Sequence, residues 1–161
     1  MSKELSFNDD EFIVSKTDLS GRITYGNDLF ITISGYSEKE LLGSPHNILR
    51  HPDMPKLIFK LLWEHVQNGK EIFAYVKNRT KRGDFYWVFA HVTPSYSSVG
   101  KIIGYHSVRR KPTPEALNVI QNQYRIFLDA EQYGGIGASQ KILDSNLSQL
   151  GVSYDQFILS L

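Results

Sequence analysis

Residues 45–55 read PHNILRHPDMP and combine two histidines, one arginine, one aspartate and three prolines. Proline lacks a backbone N–H and fixes its own φ, so this spacing of prolines excludes a long regular element. A surface loop rarely concentrates cationic, titratable and rigid residues in this way. We therefore interpret the segment as one wall of a ligand pocket and the rest of the chain as the frame around it.

A helix is predicted directly after this wall, over 55–67. Apolar residues recur there at helical spacing, which gives the helix one buried face. Asp53 or Met54 can cap its N-terminus, and Pro55 can take the first helical position, where a missing N–H costs nothing. Asp53 has a second interpretation as a ligand contact, and both roles stay open at this point.

Upstream of the wall the pattern predicts a hairpin followed by two short helices. The strands cover 12–17 and 22–25, with turn-forming residues between them. Asn27 can cap the first short helix. Ser37 and Glu40 lie three residues apart in front of an apolar pair, which is the signature of a capping box at the start of the second short helix.

Downstream of 55–67, three long strands are predicted over 71–79, 84–96 and 101–110 as an antiparallel meander. Residues on these strands alternate with a period of two, and both resulting faces are largely apolar, as in a sheet that is covered on both sides. The face with more small and aliphatic residues would line an interior cavity: Ile72, Ala74, Val76, Asn78, Tyr86, Val88, Ala90 and Val92. The aromatic face needs a second cover.

The C-terminal part of the chain supplies candidates for that cover. A stripe of apolar residues predicts a helix over 114–131, and residues 134–137 (GGIG) predict a hinge. A second helix is expected over 138–149. Ser153 and Gln156 then form a capping box for a final short helix.

Composition excludes several classes of function. The net charge of +1 gives no electrostatic case for nucleic acid or an anionic membrane, and no apolar run approaches the ~20 residues of a membrane span. Absence of cysteine excludes disulfides, thiolate zinc sites and iron–sulfur clusters. No nucleophile–base–orienter trio and no metal-ligand spacing is readable. We expect a cytoplasmic protein without enzymatic activity.

Three segments carry a specific resemblance to a known family. HNILRHPDMP (46–55), VKNRTKRGDFYWV (76–88) and IIGYHSVRRKPT (102–113) resemble the flavin-binding PAS domains of bacterial aerotaxis receptors, and most closely the stand-alone PAS sensors of split energy-taxis systems. The resemblance implies an α+β PAS fold: a five-stranded antiparallel sheet with short helices on one face and a C-terminal helical extension. We divide the chain into an N-terminal cap (1–11), a sensor domain (12–112) and the extension (113–161).

The resemblance also implies non-covalent FAD between the helices and the inner face of the sheet, with FMN as an alternative. The family's flavin-binding motif falls on Asn47, Arg50, His51 and Asp53, and Asn78 matches the asparagine that contacts the isoalloxazine ring. Arg50 could bind the cofactor pyrophosphate, because guanidinium matches phosphate oxygens in a fork. A salt bridge to Asp53 is the structural alternative.

Val88 and Ala90 are further candidate pocket residues because they lie on the strand face that would line the cavity, and Trp63 is a candidate on the helix that follows the 46–55 segment. This sequence differs from the family at Ile72, where the family has a tryptophan. Aligned on Tyr105, the position that contacts the reactive edge of the ring falls on His106. An imidazole there could exchange a hydrogen bond as flavin N5 gains or loses a proton.

These observations predict a redox or energy sensor that signals by contact with a separate membrane-bound chemotaxis transducer. A homodimer through the outer sheet face or the terminal helices is a further possibility. One alternative is a gas sensor that binds haem b through His65 or His51. The other is a cofactor-free interaction module, which the departure at Ile72 favours.

Overall fold

In the computed structural model, which describes residues 2–161, an antiparallel sheet lies between two helical layers. The strands are β1 (Ile13–Asp18), β2 (Ile23–Gly26), β3 (Ile72–Arg79), β4 (Phe85–Tyr96) and β5 (Ile102–Arg110). The helices are α1 (Asp28–Ser34), α2 (Glu38–Leu41), α3 (Lys56–Gln67), α4 (Pro114–Leu150) and α5 (Tyr154–Leu159). A 3₁₀ turn over His46–Leu49 precedes α3. None of these helices is long and apolar enough to cross a bilayer, as far as residues 2–161 are concerned.

The strands are ordered β2-β1-β5-β4-β3, and every neighbouring pair is antiparallel. The first hairpin therefore joins the sheet through β5, the last strand of the meander. This pairing places Ser15 beside Ser107, although 91 intervening residues separate them in the sequence. The predicted α+β class and five-stranded sheet are confirmed.

The two faces of the meander are those that the alternation predicts. Ala74 pairs with Ala90 on the inner face, which the short helices and α3 cover. Tyr75 pairs with Phe89 on the outer face, where their rings lie 4.7 Å apart between centroids. Both faces are buried because each has a helical layer against it.

The outer layer is the C-terminal extension of the same chain. Helix α4 is broken at Gly135 (φ 65°, ψ −163°), inside the predicted hinge, and its second arm (136–150) folds back along its first arm (114–134). The Tyr124 hydroxyl donates to the carbonyl oxygen of Tyr75 at 2.6 Å, and the Tyr154 hydroxyl donates to that of Phe73 at 2.9 Å. The extension thus occupies the outer face of the sheet, which was one of the two predicted surfaces for a homodimer.

The predicted start of α3 needs a correction. The helix begins at Lys56, Pro55 holds the N-cap position, and neither Asp53 nor Met54 caps it. The carboxylate of Glu131 caps it instead: Oε1 accepts from the Lys56 N–H at 2.8 Å and Oε2 from the Leu57 N–H at 3.2 Å. A negative group is favourable at a helix N-terminus, where N–H groups lack partners within the helix.

Glu131 also ties the two arms of α4 together. Its Oε2 atom accepts a hydrogen bond from the buried hydroxyl of Ser139 at 2.8 Å, across the break at Gly135. One carboxylate therefore links the N-terminus of α3 to both arms. We call this arrangement the Glu131 clamp.

Replacing Glu131 by alanine is expected to lower the free energy of unfolding by about 1–2 kcal/mol, the usual loss for a helix cap with charge-assisted hydrogen bonds. Urea unfolding monitored by far-UV circular dichroism measures it. Asp129→Ala is the matched control, because Asp129 is an exposed carboxylate on the same arm. Equal stability of the two variants would show that the clamp contributes nothing.

Candidate functional site

A cavity of about 180 Å³ lies between the inner face of the sheet, the 45–50 segment and α3. Every layer of the inner side contributes to its wall: Ser15 and Thr17 from β1; Pro45, His46, Asn47 and Arg50 from the wall segment; Phe59, Leu62, Trp63 and Val66 from α3; Val76 and Asn78 from β3; Ala90 and Val92 from β4; Tyr105, Ser107 and Arg109 from β5. Ser20 and Gly21 complete the rim. The lining contains no aspartate or glutamate, so its formal charge is positive.

Arg109 lies on the inner face of the sheet, with 4% of its surface exposed. Its guanidinium donates to the Ser15 hydroxyl at 2.7 Å, the Ser107 hydroxyl at 3.1 Å and Nε2 of His46 at 3.3 Å. Burial lowers its pKa to about 10, which still leaves it protonated at neutral pH. Nε is buried without a hydrogen bond, and no carboxylate of residues 2–161 forms an ion pair with this group.

His46 is held neutral beside this cation. Burial, and secondarily the charge of Arg109, lowers its pKa to about 3. Because Arg109 can only donate, Nε2 of His46 is the acceptor between them. The Ser15 hydroxyl lies 3.1 Å from the same nitrogen. The imidazole therefore acts here as a neutral acceptor.

Arg50 contributes the second guanidinium of the cavity. Its Cζ atom lies 3.7 Å from the ring centroid of Phe59, and its buried Nε has no hydrogen-bond partner. Burial lowers its pKa. The alternative salt bridge to Asp53 does not form, since Asp53 instead accepts from Lys77 at 3.4 Å. Arg50 is thus positioned by stacking, with donors left for another molecule.

Asn78 is buried on β3, where a short antiparallel bridge to Arg50 joins the wall segment to the edge of the sheet. Its strand partner Tyr86 is fully buried, and the Tyr86 hydroxyl has no hydrogen-bond partner. Burial raises the pKa of Tyr86 to about 12, against a smaller lowering effect of the Arg109 charge. Asn78 therefore adds a neutral amide to a cavity lining that also contains Arg50 and Arg109.

Five of the side chains selected from sequence line the cavity together: Asn47, Arg50, Trp63, Asn78 and Ala90. They come from four separate elements. The ring of Trp63 meets that of Tyr105 edge-on, with centroids 5.4 Å apart. These five residues, selected as candidate cofactor contacts, thus share one cavity.

Four other selected residues do not line it. Ile72 and Val88 are fully buried on the inner face and belong to the apolar core. After Arg50 the chain runs along the edge of β3, which brings His51 and Asp53 to the outer side. There His51 Nδ1 accepts from the Asp53 N–H at 3.0 Å, and its ring meets Phe85 edge-on.

His106 also lies outside the cavity, and its predicted position is wrong by one residue. Strand pairing places it opposite Lys16 and Thr93, on the outer face. Tyr105 and Ser107, its neighbours in β5, are the ones that line the cavity. Because side chains alternate along a strand, an alignment shift of one residue moves the side chain to the opposite face.

The histidines proposed as haem ligands are not directed into this cavity. His65 Nδ1 donates to the Leu61 carbonyl oxygen at 2.7 Å, and its ring lies 6.4 Å from that of Tyr154 in the C-terminal extension. His51 is on the outer side, as described above. His46 is the histidine of the cavity lining, and its Nε2 is engaged by Arg109.

Sequence reasoning missed eight polar or aromatic residues of the cavity: Ser15, Thr17, Ser20, His46, Phe59, Tyr105, Ser107 and Arg109. Alternation along β5 could have found three of them, because Tyr105, Ser107 and Arg109 share one face. His46 carried no such signal, since its direction depends on the 3₁₀ turn.

Comparison with known proteins gives consistent matches. The family model described as "PAS fold" matches residues 23–109. The aerotaxis receptor of Escherichia coli (strain K12) is 44% identical over 117 residues, which cover 73% of this chain and 23% of the receptor. The biofilm dispersion protein BdlA of Pseudomonas aeruginosa is 29% identical over 87 residues, covering 53% of this chain and 21% of that protein.

A solved structure agrees with the fold. The PAS domain of a protein from Colwellia psychrerythraea superposes with a TM-score of 0.57 at 25% identity, covering 63% of this chain and 86% of that one. The chain spans less than a quarter of the length of the two curated relatives named above.

Proposed function

Because this chain belongs to the PAS-fold family, whose members include sensor domains in taxis, we propose that it is a redox sensor that binds FAD without a covalent bond. The observation that carries the proposal is the acid-free cavity with two guanidinium groups, Arg50 and Arg109. A cavity of this kind favours a ligand that is flat and apolar in one part and rich in acceptors or negative charge in another. Flavin nucleotides combine these properties.

The residues present fit such a cofactor. Arg50 is half-buried and offers a preoriented fork for phosphate oxygens, while the buried Asn78 and Arg109 offer further donors. Trp63, Tyr105 and Phe59 provide aromatic surface on the helical side and on β5. We propose that these aromatic side chains provide the ring contacts that the resemblance assigns to a tryptophan at the position of Ile72. A bound flavin would supply reversible electron transfer.

We further propose that the sensor unit is 12–112 and that its output is a protein contact made through the 113–161 extension. The similarity to the aerotaxis receptor supports a chemotaxis transducer as the partner, and a cytoplasmic location follows from that role. The extension supports this because it contacts both the cavity helix, through the Glu131 clamp, and the outer face of the sheet. In this proposal the chain itself performs no catalysis.

The absorbance spectrum of the purified protein tests the proposal. Protein as isolated, or after incubation with FAD and removal of free cofactor, is expected to show the visible band of oxidised flavin and to lose it on reduction with dithionite. Mass spectrometry of the released molecule distinguishes FAD from FMN. A colourless protein that takes up neither flavin would refute flavin binding, and a haem absorbance band would replace it with the haem alternative.

A further inference from the structure

We propose that Arg109, held by Ser15, Ser107 and His46, is a charge-recognition site that takes a negatively charged group of the bound ligand. This inference rests on the proposed function and deepens it. It adds a binding role for four residues that the flavin-binding motif of the sequence does not contain. Arg50 would remain the contact from the 45–50 segment, and Arg109 would be the contact on the sheet.

The first argument is the uncompensated charge of Arg109. A buried guanidinium is normally paired with a carboxylate, because removal of a charge from water is costly without an opposite charge. Arg109 is 4% exposed, and none of the ion pairs within residues 2–161 includes it. Within the described chain, the counter-charge is missing.

The second argument is that every partner of this guanidinium is neutral. Two are hydroxyl groups, and the third is the unprotonated Nε2 atom of His46. Together they orient the planar group by three hydrogen bonds without reducing its charge. A site that only stabilised the fold would need no such arrangement, since an apolar side chain could fill the same space.

The third argument is the position of the group. Arg109 belongs to the cavity lining, and its Cζ atom lies 5.1 Å from the centroid of the Phe30 ring. Its partner on β4 is Ala90, whose side chain is too small to cover the guanidinium. A ligand that fills the cavity therefore meets this cation. Its negative charge can come from phosphate, which is present in both oxidation states, or from the flavin ring, where it appears on reduction. Both sources share the chemistry of an anionic acceptor.

The experiment compares Arg109→Gln with Arg110→Gln. Arg110 is the matched control because it is the next residue of β5, exposed on the outer face against Phe89. Apoprotein of each is titrated with riboflavin, FMN and FAD, and the reduction potential of the bound flavin is measured against a reference dye. Arg110→Gln is expected to match wild type in every measurement.

Either of two results for Arg109→Gln supports the proposal. If phosphate is the anion, affinity for FMN and FAD falls at least tenfold while affinity for riboflavin changes less than threefold. If the ring is the anion, affinity for oxidised flavin is retained and the reduction potential falls by about 30 mV or more, which is a tenfold loss of preference for the two-electron reduced form. Wild-type affinity for all three flavins together with an unchanged potential would overturn it.

Two further measurements keep the test decisive. If Arg109→Gln does not fold, Arg109→Lys is measured in its place. Because this variant keeps the positive charge, it is expected to keep the preference for FMN and FAD over riboflavin or for the reduced form. Loss of that preference would refute charge recognition. If wild type binds no flavin, the proposed function fails by itself. In that case pyrophosphate must raise the melting temperature of wild type more than that of Arg109→Gln, and equal shifts would overturn the present inference as well.

Discussion

Arg50→Ala is expected to bind FAD about 10- to 100-fold more weakly than the wild-type protein, with the fold retained. Hydrogen bonds from a charged group contribute about 1.5–3 kcal/mol each, which corresponds to this range of affinity. The guanidinium stacks on Phe59 and forms no ion pair within the described chain, so its removal leaves no buried partner charge behind. The loss should therefore fall on the ligand and not on the fold.

Isothermal titration of the apoprotein with FAD and with riboflavin measures this effect. Arg79→Ala is the matched control, because Arg79 is an exposed arginine at the end of β3 and the variant loses the same charge. If Arg50 binds the pyrophosphate, its replacement weakens FAD much more than riboflavin. An equal loss for both ligands would exclude phosphate as its target, and unchanged affinity for FAD would remove Arg50 from the site.

Gly104→Ala is expected to produce the largest loss of stability, about 3 kcal/mol, and to abolish ligand binding with it. A Cβ atom at this position would lie far inside contact distance of the carbonyl oxygen of Thr17, a backbone atom that no side-chain rotation can move. Relief requires β5 and β1 to separate. Because β1 carries Ser15 and Thr17 of the cavity lining, the site would open with the strand.

Thermal unfolding and urea unfolding of the purified variant measure this loss. Gly137→Ala is the control, since Gly137 is exposed in the second arm of α4 and an added Cβ meets no atom within 4 Å. That variant should be as stable as wild type or slightly more stable, because alanine favours helix. Comparable stability of Gly104→Ala and Gly137→Ala would show that the strands tolerate the added atom.

Features that depend on neighbouring residues in the sequence were predictable. Asn27 caps α1 and the capping box of Ser37 and Glu40 starts α2, because a cap uses atoms three residues apart. The break at Gly135 falls in the predicted glycine-rich hinge. The same holds for the two faces of the meander, since alternation follows directly from strand geometry.

Features that depend on residues far apart in the sequence were not predictable. Glu131 lies 75 positions from the helix that it caps, so the local pattern favoured Asp53, an equally suitable residue nearby. The predicted position of the His106 side chain was wrong because a shift of one residue in register moves a side chain to the other face of the strand. Alternation groups Arg109 with Tyr105 and Ser107 on one face of β5, but only the pairing of β5 with β4 and β1 shows that this face, and not the face of Arg110, is the inner one.

The Glu131 clamp also sets an order of events in time. At roughly 5–20 residues per second, synthesis of the 75 positions between Lys56 and Glu131 takes about 4–15 s. During that interval α3 has no side-chain cap, and the outer face of β3 and β4 has no cover from α4. The nascent chain therefore exposes its aromatic strands for seconds, which is long compared with the formation of a helix or a hairpin. The last third of the chain completes the domain as well as extending it.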